Sequence, residues 1–244
     1  MQGWVHRHGR GSEKELIYRT AVDRLPSPLR RYLLHFESAI SDAVDAFATA
    51  LPGGARVLDA GAGECAYKGR FGAHRYTGVD LGIGDSKWNY AELDALADLT
   101  ALPFRDGTFD AVLNIVTLEH VREPAVVLAE LCRVMAPGGR LLLVVPHEWE
   151  EHQTPHDYFR YTRYGVDYLL ERAGFETMEI RPAGGFFRLL SRRLLNALQF
   201  FPGPLFLVAA VFFVPPALLL PLLDGLDQRH NFTPGFICSA QKPF

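Results

Sequence analysis

From Arg56 onward, short aliphatic runs alternate with stretches whose apolar residues recur every three or four positions. The runs predict strands at about 56–60, 75–80, 92–97, 110–116, 140–145 and 175–181, and a last one at 235–242. Between them, helical spacing is clearest from Glu123 to Met135. There Pro124 opens the helix, Leu128, Leu131, Cys132 and Met135 share a face, and Pro137-Gly138-Gly139 ends it. A second helix is expected from Tyr164 to Ala173, closed by Gly174, and Glu64 to Phe71 is expected to start another. Upstream, Leu29, Tyr32, Leu33, Phe36, Ile40, Ala43, Val44 and Phe47 predict one helix, capped by Ser27 and stopped by Pro52-Gly53-Gly54. Ser12-Glu13-Lys14-Glu15 has capping-box spacing for a shorter one.

Strands that alternate with helices imply an α/β fold, a mostly parallel sheet with helices on both faces and ligands at the carboxyl ends of its strands. The expectation is a Rossmann-like core over 53–182, completed by 234–244, with an N-terminal helical cap over 1–52. Composition narrows the partners. The 244 residues, 48% of them hydrophobic, suit one large domain with an elaboration, and a net charge of −3 gives no reason to expect nucleic acid. Cys65, Cys132 and Cys238 lie far apart without metal-ligand spacing, so they read as reduced thiols of a cytoplasmic protein. Around Trp4, His6, Arg7, His8 and Arg10 no apolar secretory core is found.

The first strand ends in Asp59-Ala60-Gly61-Ala62-Gly63, a glycine turn that lets a ligand approach the backbone. Asp80 closes the second strand, where ribose hydroxyls would be held. Together with Leu102-Pro103-Phe104-Arg105-Asp106-Gly107-Thr108-Phe109-Asp110, this pattern resembles the class I S-adenosylmethionine-dependent methyltransferases, in the small-molecule, type 11 branch that includes quinone-biosynthesis enzymes. Cys65 stands where that family often has a third glycine. The resemblance implies S-adenosyl-L-methionine as cofactor: Asp59 toward the methionine ammonium, Ala60 to Gly63 along the turn, Asp80 and Leu81 at the ribose, Asp98 and Leu99 at the adenine, and Val116 beyond strand 4. Asp94 competes with Asp98 but falls nearer the start of its strand. A nicotinamide oxidoreductase is the other reading, since Gly61-x-Gly63-x-x-Ala66 matches that fingerprint; the charge of Asp59 would repel a pyrophosphate.

Methyl transfer is a displacement at the sulfonium-bound methyl carbon; it needs alignment, and a base only where the acceptor must lose a proton. Candidates are His120 after strand 4, His147 after strand 5, and His156, preferred because Asp157 follows it. Each has a structural reading beside the catalytic one: His120 packing under the cofactor, His156 pinning its loop. The spacing His147-x4-His152-x3-His156 matches no recognised zinc pattern, so no metal is expected.

Relatives of this type join strand 6 to the last strand by a short hairpin, whereas here 183–233 intervene. No charged residue occurs from Leu194 to Leu223. By length this is a membrane-span candidate, yet both flanking strands belong to one sheet on one side of a bilayer. Pro215-Pro216 is expected to break the run. The readings left are a bent hairpin in one leaflet, or an apolar lid against the domain or the second subunit of a homodimer. Arg188, Arg192 and Arg193 favour anionic head groups at the inner face of a membrane. The expected acceptor is therefore apolar or lipid-linked, with a membrane-anchored, non-catalytic scaffold as the alternative.

Overall fold

The computed structural model describes residues 26–84 and 88–244. The capping-box segment at 12–15 lies outside them. The chain divides into two compact units, Ala39–Gly184 with Phe232–Phe244, and Gly185–Asn231 with the described residues up to Ser38.

The larger unit is built on one seven-stranded sheet: β1 (Arg56–Ala60), β2 (Arg75–Asp80), β3 (Ala95–Leu96), β4 (Phe109–Ile115), β5 (Met135–Pro146), β6 (Glu176–Pro182) and β7 (Gly235–Gln241). Its order is β3-β2-β1-β4-β5-β7-β6. β1 to β5 are mutually parallel, while β7 is antiparallel to both β5 and β6. The order reverses at β1, which lies between β2 and β4; in open α/β sheets such a point opens a crevice for ligands at the strands' carboxyl ends. Val57, Leu58, Val112, Leu141 and Leu143 are fully buried, as strands covered on both faces require.

Of the helices, α1 (Ser27–Leu33) and α2 (His35–Ala50) replace the single N-terminal helix expected. The break falls at Leu34, whose backbone leaves the helical region, and α1 starts at Ser27 behind Pro26 with no side-chain cap. α3 (Pro124–Val134) and α4 (Arg163–Arg172) fall close to the expected positions, and Thr162 caps α4 by accepting the Gly165 amide at 3.1 Å. Two expectations need correction. The segment after the glycine turn forms turns and a short 3₁₀ stretch, Lys68–Phe71, because Cys65 takes a φ of 57° that no α-helix admits. Pro137-Gly138-Gly139 lies within β5, which starts at Met135 directly after α3 and pairs with Phe109 across a register shift.

The smaller unit contains α5 (Phe186–Ala197) and α6 (Pro204–Leu219), the latter followed by a 3₁₀ stretch, Leu220–Leu226. Pro215 and Pro216 do not break α6, which runs straight through them. Proline's fixed φ suits a helix; what it removes is the amide of its own position. Buried Ser191 donates to the Ala217 carbonyl, and Tyr32 to the Leu218 carbonyl at 2.7 Å. Asp224 accepts the amides of Gly185 and Arg188 at the start of α5. Arg188 also pairs with Asp224, and Arg192 with Glu37 at 2.9 Å.

Candidate active site

The turn after β1 is shaped by two left-handed glycines, Gly61 at φ 87° and Gly63 at φ 52°. A Cβ on Gly61 would run into the Thr117 side chain, so only glycine lets the turn pass beneath the loop that follows β4. The amides of Gly61 and Ala62 both donate to the Val79 carbonyl, at 2.8 and 3.0 Å, tying the turn to β2. Asp80 completes it: its carboxylate accepts the Gly63 amide at 3.0 Å and the Gly82 amide at 2.8 Å. Each oxygen keeps a lone pair, which is the acceptor capacity two ribose hydroxyls need. Ala60 is buried at the end of β1, its carbonyl accepting from Asn114, whereas Leu81 is exposed. The Trp88 ring lies over the turn, 3.2 Å from where a Gly63 Cβ would stand.

Asp59 is 1% exposed and accepts a 2.6 Å hydrogen bond from the Tyr76 hydroxyl. Burial pushes its carboxyl up to about 6 against the opposing effect of that bond, with the Asp80 charge adding to the rise. The residues that would hold S-adenosylmethionine's two polar ends thus stand one strand apart, Asp59 on β1 and Asp80 closing β2. Asp98 follows β3 and caps its own turn by accepting from the Thr100 amide and hydroxyl; Leu99 beside it is buried. Asp94 precedes β3 and accepts the Gly78 amide at 2.8 Å. Val116, at φ 51°, makes the sharp exit from β4 that carries Thr117 over Gly61.

The chain after β5 folds back onto the end of β4. The Tyr158 amide donates to the Glu119 carbonyl at 2.9 Å and the Tyr161 hydroxyl to the Leu118 carbonyl at 2.8 Å. This fold-back sorts the histidines. His120 donates from Nδ1 to the His156 carbonyl at 2.6 Å. His147 donates to the Tyr161 carbonyl at 2.9 Å and packs on Phe236. His156 meets the Tyr158 hydroxyl at 3.1 Å, and Tyr158 also takes a bond from Arg122. Asp157 turns away from His156: it pairs bidentately with Arg160 at 2.6 and 2.7 Å and accepts the His152 amide. Burial alone would raise Asp157, but Arg160 and the His152 amide hold it below its ordinary value.

Sequence spacing gave no hint that Glu119, His120 and His152 converge. Glu119 Oε1 lies 3.6 Å from His120 Nε2 and 3.7 Å from His152 Nε2. Glu119 is fully buried, neither carboxylate oxygen has a hydrogen-bond partner among the described residues, and burial pushes it up to about 8. Burial likewise holds His120 below its ordinary value, against the opposing effect of the His156 carbonyl. Tyr76, Thr117 and Trp88 were also missed. Their only sequence trace is an aromatic or hydroxyl side chain, in β2, just after β4 and in the β2–β3 connection, a signal shared with many ordinary residues.

Comparison with known proteins agrees with this geometry. Residues 58–143 match the methyltransferase domain family. The demethylmenaquinone methyltransferase of Renibacterium salmoninarum is 40% identical over 96 residues, 37% of this chain and 40% of that one. The chloroplastic tocopherol O-methyltransferase of Arabidopsis thaliana is 45% identical over 49 residues, 20% of this chain and 14% of that one. The chain thus matches well under half the length of these curated relatives. Among solved structures, the [4+2]-cyclase SpnF shares the fold with a TM-score of 0.54 at 23% identity, over 84% of this chain and 81% of that one. The 1,6-didemethyltoxoflavin-N1-methyltransferase of Burkholderia thailandensis does so at 0.50 and 16% identity, over 98% and 94%.

Proposed function

We propose, on the premise that residues 58–143 are a class I S-adenosylmethionine-dependent methyltransferase domain of the type 11 branch, that this chain methylates an apolar or lipid-linked small molecule at a membrane surface. The observation that carries the reading is the turn itself: left-handed Gly61 and Gly63, with Asp80 accepting the Gly63 amide and Asp59 buried at the end of β1. In it Asp80 takes the ribose hydroxyls and Asp59 the methionine ammonium, a cation that stabilises the ionised form of a buried carboxyl. Asp98 and the Leu99 amide take the adenine edge. Bound there, the cofactor supplies an electrophilic methyl group on a sulfonium. The chain's own part is alignment and exclusion of water. Where the acceptor carries a proton, His156 removes it: in the tautomer that donates Nδ1–H to the Tyr158 oxygen, Nε2 keeps the lone pair a base needs.

The acceptor class rests on α6. From Pro204 to Leu226 the chain has the length and apolarity of a membrane span, and only 17% of its 18-residue apolar window is buried. Because β6 and β7 pair in one sheet, the chain leaves and re-enters on the same side, and α5 at 12 residues is too short to return across a bilayer. That favours a helix lying in one leaflet on the cytoplasmic face. The arginines contribute less than their sequence position implies, since Arg188 and Arg192 are held in ion pairs within their own unit. The names of the relatives, demethylmenaquinone and tocopherol methyltransferases, point to acceptors of the same apolar kind.

The test is transfer of tritiated methyl from S-adenosylmethionine to a membrane-lipid extract presented in vesicles. Label partitioning into the organic phase supports the reading. Label confined to water-soluble acceptors would overturn the lipid assignment, and cofactor binding without any transfer would favour a scaffold.

A further inference from the structure

Three side chains with lone-pair atoms converge at the end of β4. Glu119 Oε1, His120 Nε2 and His152 Nε2 lie within 4.8 Å of one another. A carbonyl oxygen only accepts, so the 2.6 Å contact from His120 to the His156 carbonyl fixes the proton on Nδ1 and leaves Nε2 with its lone pair. His152 is oriented the same way: its Nδ1 faces the Glu150 carbonyl at 3.1 Å and Asp157 at 3.4 Å, both acceptors. Imidazoles held through one nitrogen by a carbonyl or carboxylate are the usual supports of a metal ligand. At 3.6 and 3.7 Å the histidine nitrogens are too far from Glu119 for hydrogen bonds. Among the described residues, both Glu119 oxygens and His120 Nε2 are buried without a hydrogen-bond partner. A buried carboxyl left in that state is costly, and a cation between the three groups removes the cost.

We propose that Glu119, His120 and His152 bind one divalent first-row metal ion, Zn²⁺ by ligand type. Two imidazoles and one carboxylate are a common zinc set, with ligand bonds of roughly 2.0–2.2 Å and tetrahedral ligand separations of roughly 3.4 Å. The two spacings to Glu119, 3.6 and 3.7 Å, lie close to that separation, and all three atoms fall within 4.8 Å. Three protein ligands leave one position for water or an oxygen of the acceptor, on the side where the His120 and His152 side chains keep 12% and 22% exposure. The ion would fasten the chain around His152 to the end of β4. The inference stands apart from the cofactor assignment, which involves none of these residues.

The experiment is titration of the dialysed, metal-free protein with Zn²⁺ by calorimetry, alongside thermal unfolding with and without the metal. One equivalent should bind at submicromolar Kd, and saturating Zn²⁺ should raise Tm by several degrees. His152→Ala and Glu119→Gln should each weaken binding at least a hundredfold, His74→Ala should not, and affinity for S-adenosylmethionine should hold in all three. Co²⁺ should give the visible absorption of a four-coordinate site in the wild type only. The wild-type titration and melting curve need no variant, so a misfolded substitution leaves the test intact. No stoichiometric binding and no shift in Tm, or full affinity in folded His152→Ala and Glu119→Gln, would overturn the proposal.

Discussion

The sheet unit and the insert unit are both rich in apolar residues, and they place them in opposite ways. In the sheet, Val57, Leu58, Val112, Leu141 and Leu143 are wholly buried, and Asp59, Asn114 and Glu119 are buried with them. In the insert, small Ala209 and Ala217 are buried while Leu207, Val211, Phe212 and Leu222 are 68%, 69%, 70% and 71% exposed. The first arrangement keeps polar groups under cover, where a low dielectric strengthens their hold on a charged ligand. The second leaves side chains that each forgo roughly 1.5–3 kcal/mol until something apolar meets them. On the function proposed above, the first unit would hold the polar cofactor and the second would meet an apolar partner.

The contrast is sharpened most by the proposed base. His156→Ala should lower turnover by about two to four orders of magnitude on an acceptor that must lose a proton, with cofactor affinity unchanged. Steady-state kinetics beside a binding titration reads both; intact turnover there, and in single substitutions of His120, His147 and His152, would mean catalysis by positioning alone. Next comes Asp80→Ala, which should weaken S-adenosylmethionine by roughly 2–4 kcal/mol, since two ribose hydroxyls lose a charged acceptor. Calorimetry would settle it, and wild-type affinity in the variant would break the site assignment.

A third effect depends on pH. With its folded-state value raised to about 6, Asp59 holds its proton longer in the native than in the unfolded chain. Its contribution is therefore fully present below the ordinary carboxyl value of about 3.9 and is lost as pH rises through about 6, up to about 3 kcal/mol in all. Denaturant melts from pH 4 to 7 should show that decline in the cofactor-free wild type and a flatter profile in Asp59→Asn. Cofactor affinity should run the other way, rising as Asp59 ionises. The smallest effect on vesicle binding belongs to the insert's ion pair: Arg192→Gln removes the partner of Glu37 and should lower stability, read by thermal unfolding, while changing vesicle binding little. A large loss of vesicle binding in that variant would return the arginines to the role their sequence position implied.

How far the sequence could be read follows the same division. The strands around the turn were legible because β-branched and aliphatic runs ending in Asp59 and Asp80 carry their own punctuation. The 3₁₀ turn after Cys65 was not, since residues 64–71 favour a helix locally and the φ of 57° at Cys65 is imposed by the turn. α6 continues through Pro215 and Pro216, against the sequence expectation that they break the run. The Glu119, His120 and His152 cluster lay beyond sequence reasoning altogether. It exists only because the Tyr158 amide and Tyr161 hydroxyl bring the chain after β5 back to the end of β4, and neither bond leaves a periodic trace.

The division of labour itself is tested most directly by flotation with anionic vesicles, comparing the wild type with a variant in which exposed Leu207, Val211 and Phe212 are changed to serine. The cofactor titration is repeated on the same samples. The account predicts that the wild type floats, that the variant stays with the soluble fraction, and that both bind S-adenosylmethionine with equal affinity. A wild type that ignores vesicles and forms a dimer that the same substitutions dissociate would contradict it, and would make the apolar face of α6 a subunit interface.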